Sequence, residues 1–275
     1  MKFTKTFITI FLFTFLIGYV SVLPTKKEEN ISFETATKLI KNLPTPLIEQ
    51  KTEQQINQEL IDWQKEDESK LKIKLLETGE GFHGDQVSAK SGEIWLGLFK
   101  ENNKYFLRST KIKVRRSNDA VVDEPGEKTG KDVIVNGQNQ PIFLLKNADI
   151  LKEGEIKTLF YNPSDENLTN LENGFVANYQ VNNNKYTLRV EGGANSSKLI
   201  LETENTKQIL YSVDKMGDAT WSLTWVGDLD GDGKLDLYAD LTDFYNFSEK
   251  RLFLSSQADK GKLIKQVANF WTNGC

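Results

Sequence analysis

The stretch TWSLTWVGDLDGDGKLDLYADL, residues 220–241, decides how this chain is read. Thr220 to Trp225 alternates polar and apolar side chains, the period of a half-buried strand. Trp221, Leu223 and Trp225 then share one face, which predicts core packing for all three. Leu235, Leu237, Ala239 and Leu241 form a second alternating run. Tyr238 falls on the opposite face from Leu237, beside Asp236 and Asp240, and is the candidate exposed aromatic. Between the runs lie Asp228, Asp230 and Asp232, with Asp236 just beyond, and Gly231 and Gly233 stand where the backbone must turn sharply. The reading is strand, acidic turn, strand.

Four carboxylates within nine residues repel one another unless a cation sits among them. Hard oxygens at alternate positions suit Ca²⁺, which takes six to eight oxygen ligands in a flexible cage. With Asp228 as position one, Asp230 is three, Asp232 five and Asp236 nine. Lys234 at seven can offer only its carbonyl. These are the ligand positions of the first nine residues of an EF-hand loop. Position twelve is Ala239, where an EF-hand needs a bidentate Glu, and the flanks read as strands, both of which argue against an EF-hand. The plainer alternative is an Asp/Gly turn without metal, since both residues favour turns on conformational grounds. Four aspartates at ligand spacing exceed what a turn requires. With the shell supplied by protein, the expected role of the ion is structural.

The segment from Val226 to Leu237 resembles the calcium loops of the FG-GAP (integrin-type) and VCBS repeats, in which Asp-x-Asp-Gly-Asp-Gly-x-x-Asp-Leu joins two strands. The likeness covers about residues 220–255. It implies a shell of Asp228, Asp230, Asp232, the Lys234 carbonyl and Asp236. Those families carry several copies, one per propeller blade, and this chain has a single copy, which argues against a propeller. The wider stretch, through Leu252 to Ser256 and on to Cys275, also resembles exported bacterial proteins of unassigned function.

Outward from the acidic loop, the period-two pattern continues. Trp95 to Phe99, then Glu101-Asn102-Asn103, then Lys104 to Arg108 read as a hairpin around an Asn-rich turn. Gly174 to Val181 turns at Asn182-Asn183-Asn184 into Lys185 to Val190. Lys198 to Glu202 turns near Glu204-Asn205 into Gln208 to Val213. Lys72 to Leu75, Arg251 to Leu254 and Leu263 to Phe270 add further strands. Lys111 to Arg116 alternates basic and apolar residues and reads as the solvated face of a strand. The expected fold is mainly β: an antiparallel, hairpin-rich, sandwich- or barrel-like body over residues 71–275, divisible near 116–131, where Ser, Asn, Asp, Glu, Pro and Gly cluster.

The N-terminus reads differently. Lys2 and Lys5 precede an almost wholly apolar run from Phe7 to Leu23, the layout of a secretory signal over residues 1–23. A retained membrane anchor is the competing reading; either places the body outside the cytoplasm. Residues 24–70 form a helical or spacer region. Ile56, Leu60 and Trp63 at helical spacing, with Thr52 and Gln55 as a capping box, predict an amphipathic helix over 48–65. Pro44 and Pro46 end an earlier helical stretch, Phe33 to Leu43.

Composition narrows the function classes. Hydrophobic content of 38% and charged content of 27% fit a soluble globular protein. The net charge of −4 becomes −6 when Lys2 and Lys5 leave with the signal, which gives no support to nucleic-acid binding. Cys275 is the one cysteine, so an intrachain disulfide is excluded and a disulfide dimer is left open. His83, the one histidine, sits among glycines and reads as a surface loop residue. No Gly-x-Ser-x-Gly elbow or His-Glu-x-x-His helix is present. Glu93 beside Trp95, and Asp240 and Asp243 near Tyr245, read as solvated strand faces rather than acid pairs. The expectation is an exported, calcium-stabilised, non-enzymatic protein that binds a surface polymer or another envelope protein. The alternative is an extracellular hydrolase with a structural calcium beside a carboxylate site.

Overall fold

The computed structural model describes residues 70–137, 139–162, 170–193, 196–215 and 217–273, all within one compact unit. The signal run, the helix over 48–65 and Cys275 lie outside the described residues. Among those described there is no α-helix, and hence none long and apolar enough to cross a membrane. The protein is mainly β, as the alternation predicts.

The first half supplies β1 (Lys74–Leu76), β2 (Gly79–Phe82), β3 (Ile94–Glu101), β4 (Lys104–Ser117), β5 (Gly130–Val135), β6 (Leu144–Lys146) and β7 (Gly154–Tyr161). A four-stranded meander follows: β8 (Val176–Val181), β9 (Asn184–Gly192), β10 (Ser197–Glu202) and β11 (Lys207–Val213). The last quarter is β12 (Ser222–Asp228), β13 (Asp236–Asp240), β14 (Phe247–Leu254) and β15 (Lys265–Asn273).

Eleven strands form one antiparallel sheet. Its path runs β1-β6-β3-β4-β7-β12-β13-β14-β15, and β5 joins β4 to β2 off that path. The end strands β1 and β15 lie against each other, so the sheet curls into a nearly closed barrel. Curling shields the edges that an open sheet would leave unpaired. The β3–β4 hairpin closes with Glu101 opposite Lys104, across Asn102 (φ 48°) and Asn103 (φ 66°). Two consecutive left-handed residues match the strand twist, and Asn tolerates that conformation better than most side chains.

Two hydrophobic cores share the strands β12–β14. One core fills the curl of the large sheet, with Trp95, Leu107, Phe143, Leu145, Trp225 and Tyr238 at its centre. The other lies between β12–β14 and the meander, and includes Leu188, Leu199, Tyr211, Trp221, Leu223 and Leu237. Residues of β13 therefore alternate between two interiors, and all five are buried. An alternating strand normally marks one wet face. Here the second sheet has covered it.

This two-sided burial corrects two readings. The register shifts between Leu223 and Trp225, where Thr224 and Trp225 together face Tyr238. The extra residue reverses the alternation. Trp221 and Leu223 pack under the meander, while Trp225 points into the curled sheet. All three are core residues, but they do not share a face. Tyr238 does lie opposite Leu237, yet it is fully buried rather than exposed. Its hydroxyl donates to Glu77 Oε1 at 2.7 Å, and Trp225 Nε1–H donates to Thr158 Oγ1 at 2.9 Å. Phe143 makes edge contacts with both rings. Buried aromatic side chains with polar tips need such partners.

Candidate metal centre

The acidic loop spans the β12–β13 turn, beyond the last paired residues, Gly227 and Asp236. Its two leucines fix it from both sides: Leu229 enters the core of the curled sheet and Leu235 the core under the meander. Gly231 (φ 74°) and Gly233 (φ 81°) take the left-handed conformation that the spacing predicts. Gly233 also fits where a side chain would not, since a Cβ there would meet Asn182 Nδ2 at 2.7 Å. The amides of Asn182 and Asn184, in the β8–β9 hairpin, reach the Gly233 carbonyl at 3.4 and 3.5 Å. The loop is thus held between both sheets.

Backbone amides turn inward onto the carboxylates. Gly233 N–H donates to Asp228 Oδ2 at 3.1 Å, and Asp232 N–H to Asp230 Oδ1 at 3.1 Å. Asp236 is the centre of the arrangement. Its Oδ2 accepts Leu229 N–H at 2.6 Å, and its Oδ1 accepts Ser255 N–H at 2.7 Å and the Ser255 hydroxyl at 2.9 Å. The end of β14 is thereby tied to the loop.

Carboxylate oxygens of Asp228, Asp230 and Asp236 lie within 4.8 Å of one another. The structure brings these three of the expected ligands together. Asp232 stands aside: its Oδ1 accepts Lys234 N–H at 2.8 Å, and its Oδ2 faces Lys234 Nζ at 3.2 Å. Among the described residues, two features of the triad are costly without a counter-charge. Asp228 Oδ1 is buried and has no hydrogen-bond partner, a costly state for a charged oxygen. Asp236 is fully buried, and no basic side chain among the described residues offsets its charge. Burial first, and then the Asp230 charge, push its carboxyl up to about 8, against the pull of the Ser255 and Leu229 hydrogen bonds. Asp228 is raised as well, by burial and then by the charges of Asp230 and Asp232, against the Gly233 hydrogen bond.

The other carboxylates singled out in the sequence are engaged rather than solvated. Glu93 pairs with Lys146 Nζ at 2.9 Å and accepts Trp95 Nε1–H at 3.0 Å. Asp240 is buried under the Ser248 hydroxyl at 2.6 Å and Lys250 Nζ at 3.4 Å. Asp243 is half-buried, and burial raises its carboxyl against the pull of the Arg251 charge and the Trp221 indole N–H.

His83 is also misplaced by the surface reading. Its side chain is only 13% exposed, and Nδ1 lies 2.5 Å from Oδ2 of the buried Asp119. Asp119 belongs to the segment read as a loop or boundary, which here connects the paired strands β4 and β5. Nothing local marks that partnership, because the two residues are 36 positions apart. Comparison of the chain with protein-family models, curated proteins and solved structures finds no match.

Proposed function

We propose that the protein is an exported, calcium-stabilised β protein that presents a rigid binding surface in the cell envelope, its partner a surface polymer or another envelope protein. The observation that carries the metal reading is the orphaned, buried Oδ1 of Asp228, a residue whose carboxylate clusters with those of Asp230 and Asp236. The donor set is all oxygen, which suits a hard cation and not a soft one. Oxygens around Ca²⁺ at about 2.4 Å from the ion sit no more than about 4.8 Å apart, and the triad meets that limit. Asp228, Asp230 and Asp236 would hold the ion, with Asp232 and the Lys234 carbonyl as further donors. The ion would neutralise the cluster and hold together four pieces: β12, β13, the end of β14 at Ser255 and the β8–β9 hairpin.

The reading is structural because the loop lies between cores that need fixing, and its ligands come from the chain. A hydrolase with a carboxylate pair beside the calcium is less supported. Glu93 is committed to Lys146 and Trp95, and Asp240 to Ser248 and Lys250. Elemental analysis of purified protein, followed by melting with EDTA and with calcium restored, tests the proposal. The expected result is about one bound calcium and a lower Tm on chelation, reversed by Ca²⁺ and not by Mg²⁺ at equal concentration. At ten- to a hundred-fold above Kd the ion contributes about 1.4–2.7 kcal/mol. Protein that binds no calcium, or melts identically in EDTA, rules the proposal out.

A further inference from the structure

We infer that the cleft around His83 and Asp119 is a binding site for a neutral polyhydroxyl ligand, a saccharide whose ring lies on Trp271 and whose hydroxyl hydrogen-bonds His83 Nε2. The inference rests on the binding-protein reading above and is independent of the metal. The cleft encloses about 480 Å³ and is lined by His83, Asp85, Asp119, Thr129, Trp271 and Asn273, with Val121 and Val122 at its margin.

The His83–Asp119 pair sets the chemistry. Asp119 is 2% exposed. Burial alone would raise its pKa, but the hydrogen bonds from His83 and from the Val121 and Val122 amides outweigh it and hold the carboxyl below its ordinary value. An ionised Asp119 can only accept, so His83 Nδ1 carries the proton. Nε2, the ring nitrogen that Asp119 does not engage, is then the imidazole atom left for a ligand hydroxyl, in a ring oriented as a carboxylate orients a working imidazole. Among the described residues no partner occupies Nε2.

The walls around the pair are built rather than loose. Lys131 Nζ donates to the carbonyls of Gly84 at 2.5 Å and Val87 at 2.6 Å, which pins the turn carrying His83. A Cβ on Gly84 would stand 2.3 Å from the Thr129 carbonyl, so that turn is pressed against the chain entering β5. Asp119 Oδ1 accepts Val121 N–H at 3.1 Å, and Asp119 N–H donates to Asp123 Oδ2 at 2.7 Å. Asn273 Oδ1 is taken by the Gln86 amide, which leaves the Asn273 amide hydrogens for a ligand.

The ligand class follows by complementarity. Lys131 is spent on two carbonyls, and the lining carboxylates Asp85 and Asp119 repel anions. Trp271 is 48% exposed, so an indole face remains available on β15. An aromatic face beside separated polar groups (His83 Nε2, the Asp85 carboxylate and the Asn273 amide) matches a sugar, which offers C–H faces and hydroxyls together.

The single histidine makes the test direct, since its imidazole gives one set of NMR signals. Calcium-loaded protein is titrated with soluble hexasaccharides of β-linked glucose, β-linked N-acetylglucosamine and α-linked mannose, and with ethylamine as a cation probe. The expected result is a saturable shift of the His83 signals by at least one saccharide. Trp271→Ala should weaken that binding about tenfold or more. His83→Gln, which has no imidazole and is followed through the Trp271 indole signal instead, should also weaken it. No shift with any saccharide, a shift with ethylamine alone, or full-strength binding by Trp271→Ala each overturns the assignment. Because the readout is taken on metal-loaded protein, its failure leaves the calcium reading untouched.

Discussion

Metal-free protein should lose stability as pH rises from about 4 to about 8, and calcium should abolish that loss. The reasoning starts at Asp236, which is fully buried and raised from 3.8 to about 8 by burial and by Asp230. A displacement of about four pH units corresponds to about 6 kcal/mol at about 1.4 kcal/mol per unit. A carboxyl whose folded pKa is raised favours folding in its neutral form. Its contribution is whole below the unfolded value near 3.8 and is lost as pH climbs through about 8. Up to about 6 kcal/mol would go across that window, a large share of a marginal stability of about 5–15 kcal/mol. Calcium beside the carboxylate reverses the preference by favouring the charged form. Below pH 8 the ion must therefore displace the Asp236 proton, releasing about one proton per calcium bound. Urea denaturation at a series of pH values, in EDTA and in calcium, gives the two curves. Calorimetry in buffers of different ionisation enthalpy counts the proton. Parallel curves, with heats that do not depend on the buffer, would refute the reasoning.

Asp228→Asn should have opposite effects in the two metal states: in calcium it lowers Tm by removing a ligand, and in EDTA it is neutral or stabilising because one repelling charge is gone; paired melts check both signs. Gly227→Ala should cost about 1–3 kcal/mol by overpacking, since the new Cβ would meet the Lys157 carbonyl and Trp225 Cζ2, both at 2.4 Å; urea midpoints measure it. Trp225→Ala should cost about 3–5 kcal/mol, given its full burial and its bond to Thr158. Tyr179, pushed up to about 12 by burial, should keep its phenol proton after exposed tyrosines have ionised. Its stabilising contribution is whole below pH 10 and lost as pH rises through about 12, a transition that ultraviolet absorbance follows.

The parts of the fold legible in the sequence are those whose signal is local. The β3–β4 and β8–β9 hairpins carry paired strand patterns around Asn turns, and both form at the expected places. The acidic loop is legible for the same reason: ligands, glycines and flanking strands lie within a few residues of one another. β5, β6 and β7 were not read. β6 has only three residues, and β7 carries Lys157 and Thr158 among its apolar positions. Such strands are defined by their neighbours in the sheet more than by their own pattern.

Trp225 and Tyr238 show where local reasoning fails, and the failure has one physical source. Period-two alternation says that two faces differ; it does not say that one of them is wet. In β12 and β13 both faces are dry, because the meander covers one and the curled sheet encloses the other. A single bulge at Thr224 then exchanges which core a side chain enters, with no change in polarity to announce it. The same placement explains why the charged loop sits where it does. A strand pair buried on both faces leaves its backbone turn as the remaining outlet for polar atoms, and the turn must meet both cores at once. Leu229 and Leu235 make those two attachments, six residues apart, while the carboxylates between and beside them are drawn within reach of one another. A cation at that point would couple the two cores, so that the stability of one depends on the other.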